Sequence, residues 1–452
     1  MRKQERRALI CLALAMVLFA GLCVFTYRFV KDGSRWAGHY GNTQIYVDGS
    51  INRGTVTDRH DEMLLNCTSD GLEYSDDWTT RVSTVHAVGD GKGNIAAGAI
   101  NMFAGQLIGY DILNGTYDTS AHGKTIQLTI DAKANRTAYN ALDGRTGTVG
   151  IYNWKTGEIM CMVSTPSFDP AEGAPEDSEE SIYFNNFLSG AMTPGSIFKL
   201  VTAAAVIDNM PDRDKFSFEC DGVNQYGDNE GTEFRDIDEH GEVDFRQALA
   251  VSCNGAFGEL SRELGGRTLK KTTDKVGLSK SLEFDGIETA AGSFKFPTDD
   301  DIRLSWAGIG QGQDLVNPCT MMVYMGAIAN GGEAVKPTLI KSTSFIDEIR
   351  GPKTLGEYLE VSTAAELKDM MKNNVVENYG EDNFPGLDIY AKSGTAETGG
   401  EDSDAWFVGF TDDEEAPYAF VVWVKEGGSG ASVAAPIASR VLQALQANNY
   451  YE

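Results

Sequence analysis

Hydrophobic and polar positions change rhythm several times along the chain. Residues 8–27 form a run of twenty without a charged side chain. At about 1.5 Å per helical residue such a run spans about 30 Å, the depth of a bilayer hydrocarbon core. Arg2, Lys3, Arg6 and Arg7 precede it against Glu5 alone, and a basic flank predicts that the N-terminus stays on the cytoplasmic side. The run exceeds a signal-peptide core of about 7 to 15 residues, and no A-x-A cleavage pattern follows it, so it predicts an uncleaved anchor. No later apolar run approaches about 18 residues, which places everything from about residue 31 beyond the membrane.

Residues 33–122 are rich in Gly, Asn, Asp and Thr with short apolar runs such as 44–47, a pattern that predicts a small β-rich module. From residue 124 the pattern tightens. Residues 125–130 alternate, and 148–153 and 158–164 flank Lys155-Thr156-Gly157, which predicts a hairpin. The acidic stretch 171–181 predicts a solvated loop, 200–207 a helix, and 406–410 with 419–424 a second pair of strands. The expected organisation is a basic flank at 1–7, an anchor at 8–27, a pedestal at 31–123 and one large domain at 124–452.

Composition adds exclusions. With 38 Lys and Arg against 66 Asp and Glu, the net charge of −28 repels a polyanion, so no nucleic-acid partner is expected. The 452 residues suffice for two or three folded units. Of seven cysteines, Cys11 and Cys23 lie in the apolar run, and Cys67, Cys161, Cys220, Cys253 and Cys319 are far apart without a C-x-x-C pair. That spacing predicts buried free thiols and neither a zinc site nor a disulfide framework. The five histidines form no ligand pair at helical spacing, and His240, in the acidic stretch 236–242, reads as a solvated loop residue. It is also the only histidine of the large domain that a Ser-His-Asp triad could use.

Three short motifs carry candidate chemistry. In Thr193-Pro194-Gly195-Ser196-Ile197-Phe198-Lys199, Pro and Gly end the incoming segment and the run 200–207 begins a helix. Ser196 and Lys199, three apart, then share a face, so that hydroxyl and amine can meet and backbone N–H groups can stabilise developing negative charge. Lys199 serves as a base only when neutral, which requires its pKa to fall by about three units through burial or a neighbouring cation. Ser252-Cys253-Asn254 follows in a helical or helix–loop context, and Lys392-Ser393-Gly394-Thr395 reads as a strand edge whose glycine permits close backbone approach. In this order S-x-x-K, S-x-N and K-S-G are the signatures of penicillin-binding proteins and serine β-lactamases.

The chain thus resembles the class B penicillin-binding proteins, which are D,D-transpeptidases of peptidoglycan synthesis. Arg53-Gly54-Thr55-Val56-Thr57-Asp58-Arg59 is similar to the start of their pedestal, and Gly308-Ile309-Gly310-Gln311-Gly312 through Asn317-Pro318 to Ala329-Asn330-Gly331-Gly332 is similar to another part of the catalytic domain. The Gly-rich loop lacks the Gly-Lys-Ser/Thr of a phosphate cradle, and Asn317-Pro318 is expected to cap the next helix. The resemblance implies an α+β fold, an antiparallel sheet flanked by helices with a helical subdomain. It implies Ser196 as nucleophile, Lys199 as base, Ser252 as proton relay, Asn254 as a clamp on Lys199 and substrate, and Lys392 as a source of positive potential. Ser393, Gly394 and Thr395 would line the substrate's terminal carboxylate, and the N–H groups of Ser196 and Thr395 would form an oxyanion hole. No cofactor or metal is implied. The implied partners are stem peptides, β-lactams and a SEDS-family glycan polymerase.

Cys253 stands where related S-D-N enzymes carry an acid and is expected to act as a small filler. No E-x-x-L-N segment lies between Ser252 and Lys392, which predicts a slowly hydrolysed acyl-enzyme. A D,D-carboxypeptidase or slow β-lactamase shares the acylation chemistry and is the alternative enzyme, and a non-enzymatic β-lactam sensor or scaffold is a third reading.

Overall fold

An unbroken apolar run with basic ends folds here as one long helix, α1 (Arg2–Ala37), longer than the run itself. The computed structural model describes residues 2–37, 45–47, 50–110, 123–175, 180–225, 233–236, 238–342, 349 and 351–449. His39, His122, Gln44 and the centre of the acidic stretch, 176–179, lie outside them. Within α1, Lys3–Val30 is long and apolar enough to cross a membrane and makes no burying contact with the rest of the chain. A single N-terminal apolar helix of this kind fits single-pass anchoring.

The next part is β-rich, as its composition predicts, but not only β. Strands β1 (Gly54–Thr57), β2 (Met63–Thr68) and β3 (Gly71–Tyr74) are followed by helix α2 (Trp78–Val88), which Asp77 caps by accepting from the Thr80 N–H. Strand β4 (Thr125–Gln127) joins the same sheet, parallel to β1, although it lies on the far side of the expected boundary at 123. Connections to the larger domain are polar and buried. Asp58 accepts from the His60, Glu62 and Ala132 N–H groups at 2.8 to 3.0 Å, which places it at the start of helix α3 (Ala132–Leu142). Arg81 on α2 forms a bidentate pair with Asp169 at 2.8 and 2.7 Å.

The expected hairpin forms as β5 (Gly147–Asn153) and β6 (Ile159–Thr165). Then follow helix α4 (Lys199–Asn209), the paired strands β7 (Ser217–Cys220) and β8 (Gly241–Asp244), helices α5 (Phe245–Ala250), α6 (Asn254–Leu264), α7 (Pro318–Ala329) and α8 (Val361–Asn374), strands β9 (Ile389–Ala396), β10 (Asp404–Thr411) and β11 (Tyr418–Val424), and helix α9 (Ala435–Asn449). The main sheet is antiparallel in the order β9-β10-β11-β5-β6.

Alternation on this sheet feeds two cores. Ala419, Val421 and Trp423 face one with α7, while Phe420, Val422 and Val424 face the other with α3 and α9. Burial on both faces explains why 419–424 is continuously apolar. The strand order puts β9 at one edge of the sheet.

Candidate active site

Pro194 and Gly195 bring the chain into a single 3₁₀ turn, Gly195–Phe198, that leads directly into α4. Gly195 has φ +56°, its N–H donates to the Gly310 carbonyl at 2.8 Å, and a Cβ there would stand 2.5 Å from the Thr395 carbonyl oxygen. Only glycine meets both conditions. Ile197 and Phe198 are fully buried, the latter stacked on Phe294 at 5.3 Å, and Trp406 donates to the Thr193 carbonyl at 2.9 Å. Held on all sides, the turn presents Ser196 partly exposed. The Gly308–Gly312 loop thus supports the turn that carries Ser196.

Lys199 is completely buried, and its amine donates to three oxygens: the Ser252 carbonyl, Ser252 Oγ at 3.2 Å and Asn254 Oδ1 at 2.7 Å. Burial pulls its pKa down to about 8, although Asp236 and Cys253 work in the opposite direction. The amine is therefore closer to neutral than an exposed lysine, as a base requires. Among the described residues the amine is engaged by the S-x-N segment and not by Ser196 Oγ.

That segment is a break between helices. α5 ends at Ala250, Ser252 adopts φ +59°, and α6 begins at Asn254 with Cys253 as its cap. A left-handed serine costs about 1–3 kcal/mol, and its carbonyl is held by Lys199. Asn254 is oriented at both ends of its amide, accepting from Lys199 and donating to the Arg235 carbonyl at 3.1 Å.

Lys392, on β9, is also fully buried and donates to Ser252 Oγ at 2.9 Å. Burial and then the neighbouring Lys199 push its pKa well down. Gly394 allows the strand to press against the 3₁₀ turn, since a Cβ would lie 2.9 Å from Ile197 Cγ2 and 3.1 Å from the Pro194 carbonyl. Thr395 is half-buried beside Gly195. Ser393 is turned to a partner absent from the sequence reading: Tyr379 Oη donates to its Oγ at 3.0 Å and accepts from its N–H at 2.8 Å. The expected carboxylate contact from Ser393 therefore competes with Tyr379. A π-helical turn, Val375–Tyr379, supplies this tyrosine and also Asn378, which donates to the Ala250 carbonyl, tying β9 to the end of α5.

Ser196, Lys199, Ser252, Asn254, Lys392 and Thr395 thus gather around one point. A groove of about 780 Å³, lined among others by Thr193, Leu315, Thr398, Trp423 and Glu426, includes none of these six in its lining.

Asp236 was invisible in sequence. Its Oδ2 accepts from the N–H groups of Asn254 at 2.6 Å and Gly255 at 3.0 Å, completing the start of α6, where an anion is favoured. Two expectations are corrected here. His240 is not a solvated loop residue: its side chain is 12% exposed and its Nδ1 lies 3.4 Å from Cys220 Sγ. Nor does wide cysteine spacing separate ligand-type side chains, because Cys220, Asp236, His240 and Cys253 converge. All five cysteines beyond α1 are buried free thiols.

Comparison with known proteins gives the family and the fold. The family described as the penicillin binding protein transpeptidase domain matches residues 147–443. A peptidoglycan D,D-transpeptidase, PbpA of Mycolicibacterium smegmatis, is 25% identical over 98% of this chain and 99% of its own length. Penicillin-binding protein 3 of Bacillus subtilis is 27% identical over 64% of this chain and 46% of its own. In three dimensions the chain is similar to penicillin-binding protein A of M. tuberculosis in its imipenem acyl-enzyme complex, with a TM-score of 0.74 at 23% identity over 88% of this chain and 99% of that one. The D,D-transpeptidase domain of a peptidoglycan glycosyltransferase from Eggerthella lenta gives 0.71 at 23% identity, over 88% and 98%. The family match over residues 147–443, together with a relative similar along nearly the whole chain, shows the kinship: the chain belongs to the penicillin-binding protein transpeptidase family.

Proposed function

We propose that this chain is a membrane-anchored peptidoglycan D,D-transpeptidase whose nucleophile is Ser196. The observation that carries the reading is the position of Lys199, buried, drawn toward neutrality and flanked by Ser252 and Asn254 at the foot of the Ser196 turn. In the first step Ser196 Oγ bonds to the carbonyl carbon between the two terminal D-alanines of a stem peptide, and its proton passes to Lys199. Ser252, in contact with both lysines, relays that proton to the departing amine, and D-alanine leaves. In the second step an amine of a neighbouring strand attacks the acyl-enzyme and Ser196 recovers its proton. The N–H groups of Ser196 and Thr395 receive the oxyanion, where one donor is worth about 3 kcal/mol in comparable sites.

Lys392 and the Thr395 hydroxyl receive the terminal carboxylate. Burial beside Lys199 disfavours the charge on Lys392, and a carboxylate next to it offsets that cost. A β-lactam acylates Ser196 by the same step, with its ring amide as the bond broken.

The basic residues in the first turns of α1 support an N-terminus in the cytoplasm with the domain at 124–452 outside. The family resemblance supports a SEDS-type glycan polymerase as partner in the same membrane. Mass spectrometry of the full-length protein treated with a penicillin tests the nucleophile, with the adduct expected on the peptide containing Ser196. A Ser196→Ala variant that is still acylated overturns the assignment. Product analysis with a stem-peptide donor and an acceptor amine separates transfer from hydrolysis, and thereby the transpeptidase from a carboxypeptidase or β-lactamase.

A further inference from the structure

Directly beneath the Ser252-Cys253-Asn254 break, four side chains from three stretches of chain point at one another. Pairing of β7 with β8 sets Cys220 opposite Gly241 and so beside His240. The start of α6 contributes Cys253, and Asp236 reaches in from the segment that caps that helix. Their ligand-type atoms all lie within 4.8 Å of one another. Cys220 Sγ is 3.4 Å from His240 Nδ1 and 3.6 Å from Asp236 Oδ2, Cys253 Sγ is 3.1 Å from Asp236 Oδ2, and His240 Nδ1 is 3.8 Å from that same oxygen.

These spans suit a metal. A tetrahedral zinc ion with bonds of about 2.3 Å to sulfur and about 2.0–2.2 Å to nitrogen and oxygen holds its ligand atoms about 3.3–3.8 Å apart. Of the six separations three fall in that window, Cys253 Sγ to Asp236 Oδ2 falls just short of it, and those from Cys253 Sγ to Cys220 Sγ and to His240 Nδ1 are within 4.8 Å. Two sulfurs, an imidazole and a carboxylate favour zinc over magnesium or calcium, which take all-oxygen sites. Both cysteines are at most 1% exposed, and the side chains of Asp236 and His240 are 2% and 12% exposed. Four protein ligands in a closed pocket describe a structural site rather than a catalytic one, which would keep a position open.

We propose that Cys220, Asp236, His240 and Cys253 form a structural zinc site that locks the S-x-N segment in place. Binding replaces the two thiol protons, which leave to solvent, by two zinc–sulfur bonds, with no change of oxidation state. Asp236 would bridge the site to the catalytic segment, since the oxygen that faces the sulfurs also accepts from the Asn254 and Gly255 N–H groups. Asn254 in turn holds Lys199. The metal assignment stands apart from the acyl-transfer reading, because its ligands are not the residues proposed to react.

The test uses the full-length protein in detergent, purified without a polyhistidine tag or chelator. Elemental analysis is expected to find one zinc per chain. Chelation should lower the melting temperature and added zinc should restore it. Cobalt(II) added to the chelated protein should give sulfur-to-metal charge transfer and the visible bands of a tetrahedral site. Cys220→Ser and His240→Ala should each lower zinc retention by about tenfold or more. Whether or not these variants fold, the wild-type chain decides: if it holds no zinc as purified, takes up neither zinc nor cobalt after reduction, and melts at the same temperature with and without chelator, the proposal is overturned. A Cys220–Cys253 disulfide in the protein as purified overturns it equally.

Discussion

Lys392 Nζ donates to Ser252 Oγ at 2.9 Å, across 140 residues of sequence, and the same oxygen accepts from Lys199 Nζ at 3.2 Å. One hydroxyl thus joins two buried lysines. Burial draws both pKa values down, and the neighbouring Lys199 adds to the fall at Lys392. Replacing Ser252 with Ala removes the shared oxygen and the proton path. The rate of acylation by a penicillin should fall about 10²- to 10⁴-fold, the usual worth of general acid–base assistance, with the adduct still found on Ser196.

Acylation should depend on pH with a midpoint near 8. Lys199 accepts the Ser196 proton only in its neutral form, and burial brings its pKa to about 8. Below that value the protonated fraction grows and the second-order rate constant for a β-lactam should fall about tenfold per pH unit; above it the rate should level off. Stopped-flow measurement with a chromogenic β-lactam between pH 6 and 10 checks this, and a flat profile over that range contradicts the role of Lys199.

Gly394→Ala should slow acylation more than it unfolds the protein. The added Cβ would lie 2.9 Å from Ile197 Cγ2 and 3.1 Å from the Pro194 carbonyl, which pushes β9 away from the Ser196 turn. Overpacking of this kind costs about 1–3 kcal/mol. A displacement of β9 carries Thr395 with it, so a loss of about tenfold or more in acylation at a small shift in melting temperature is expected.

Asn317→Ala should destabilise the fold by about 3 kcal/mol or more. Its side chain is fully buried, caps α7 by accepting from the Thr320 N–H, and donates to the carbonyls of Phe187, Leu188 and Gly190. Alanine leaves those carbonyls short of a donor in a buried place. Denaturant unfolding of the variant against the parent measures the difference. An effect below about 1 kcal/mol would show that water replaces the amide.

The large elements were legible because their patterns are local. Twenty uncharged residues could only be α1, the alternation flanking Lys155-Thr156-Gly157 became β5 and β6, and Asn317-Pro318 caps and starts α7 as its residue types require. The helix α2 was missed, since its cap at Asp77 lies inside a stretch whose composition reads as β and turn.

At the site, the order S-x-x-K, S-x-N, K-S-G singled out the candidate residues because each motif keeps its members within four positions, a distance at which local backbone geometry decides what faces what. Tertiary structure alone decided the rest. Tyr379 reaches Ser393 from a π-helical turn, and Asp236 reaches the start of α6 from a loop with no motif of its own. His240 and four-residue-distant Asp236 carry no ligand spacing with Cys220 or Cys253 along the chain, yet the pairing of β7 with β8 and the break at Ser252 put all four side chains together. Local chemistry is written in neighbouring letters, while contacts between distant segments follow from strand register and core packing, which no single stretch of sequence contains.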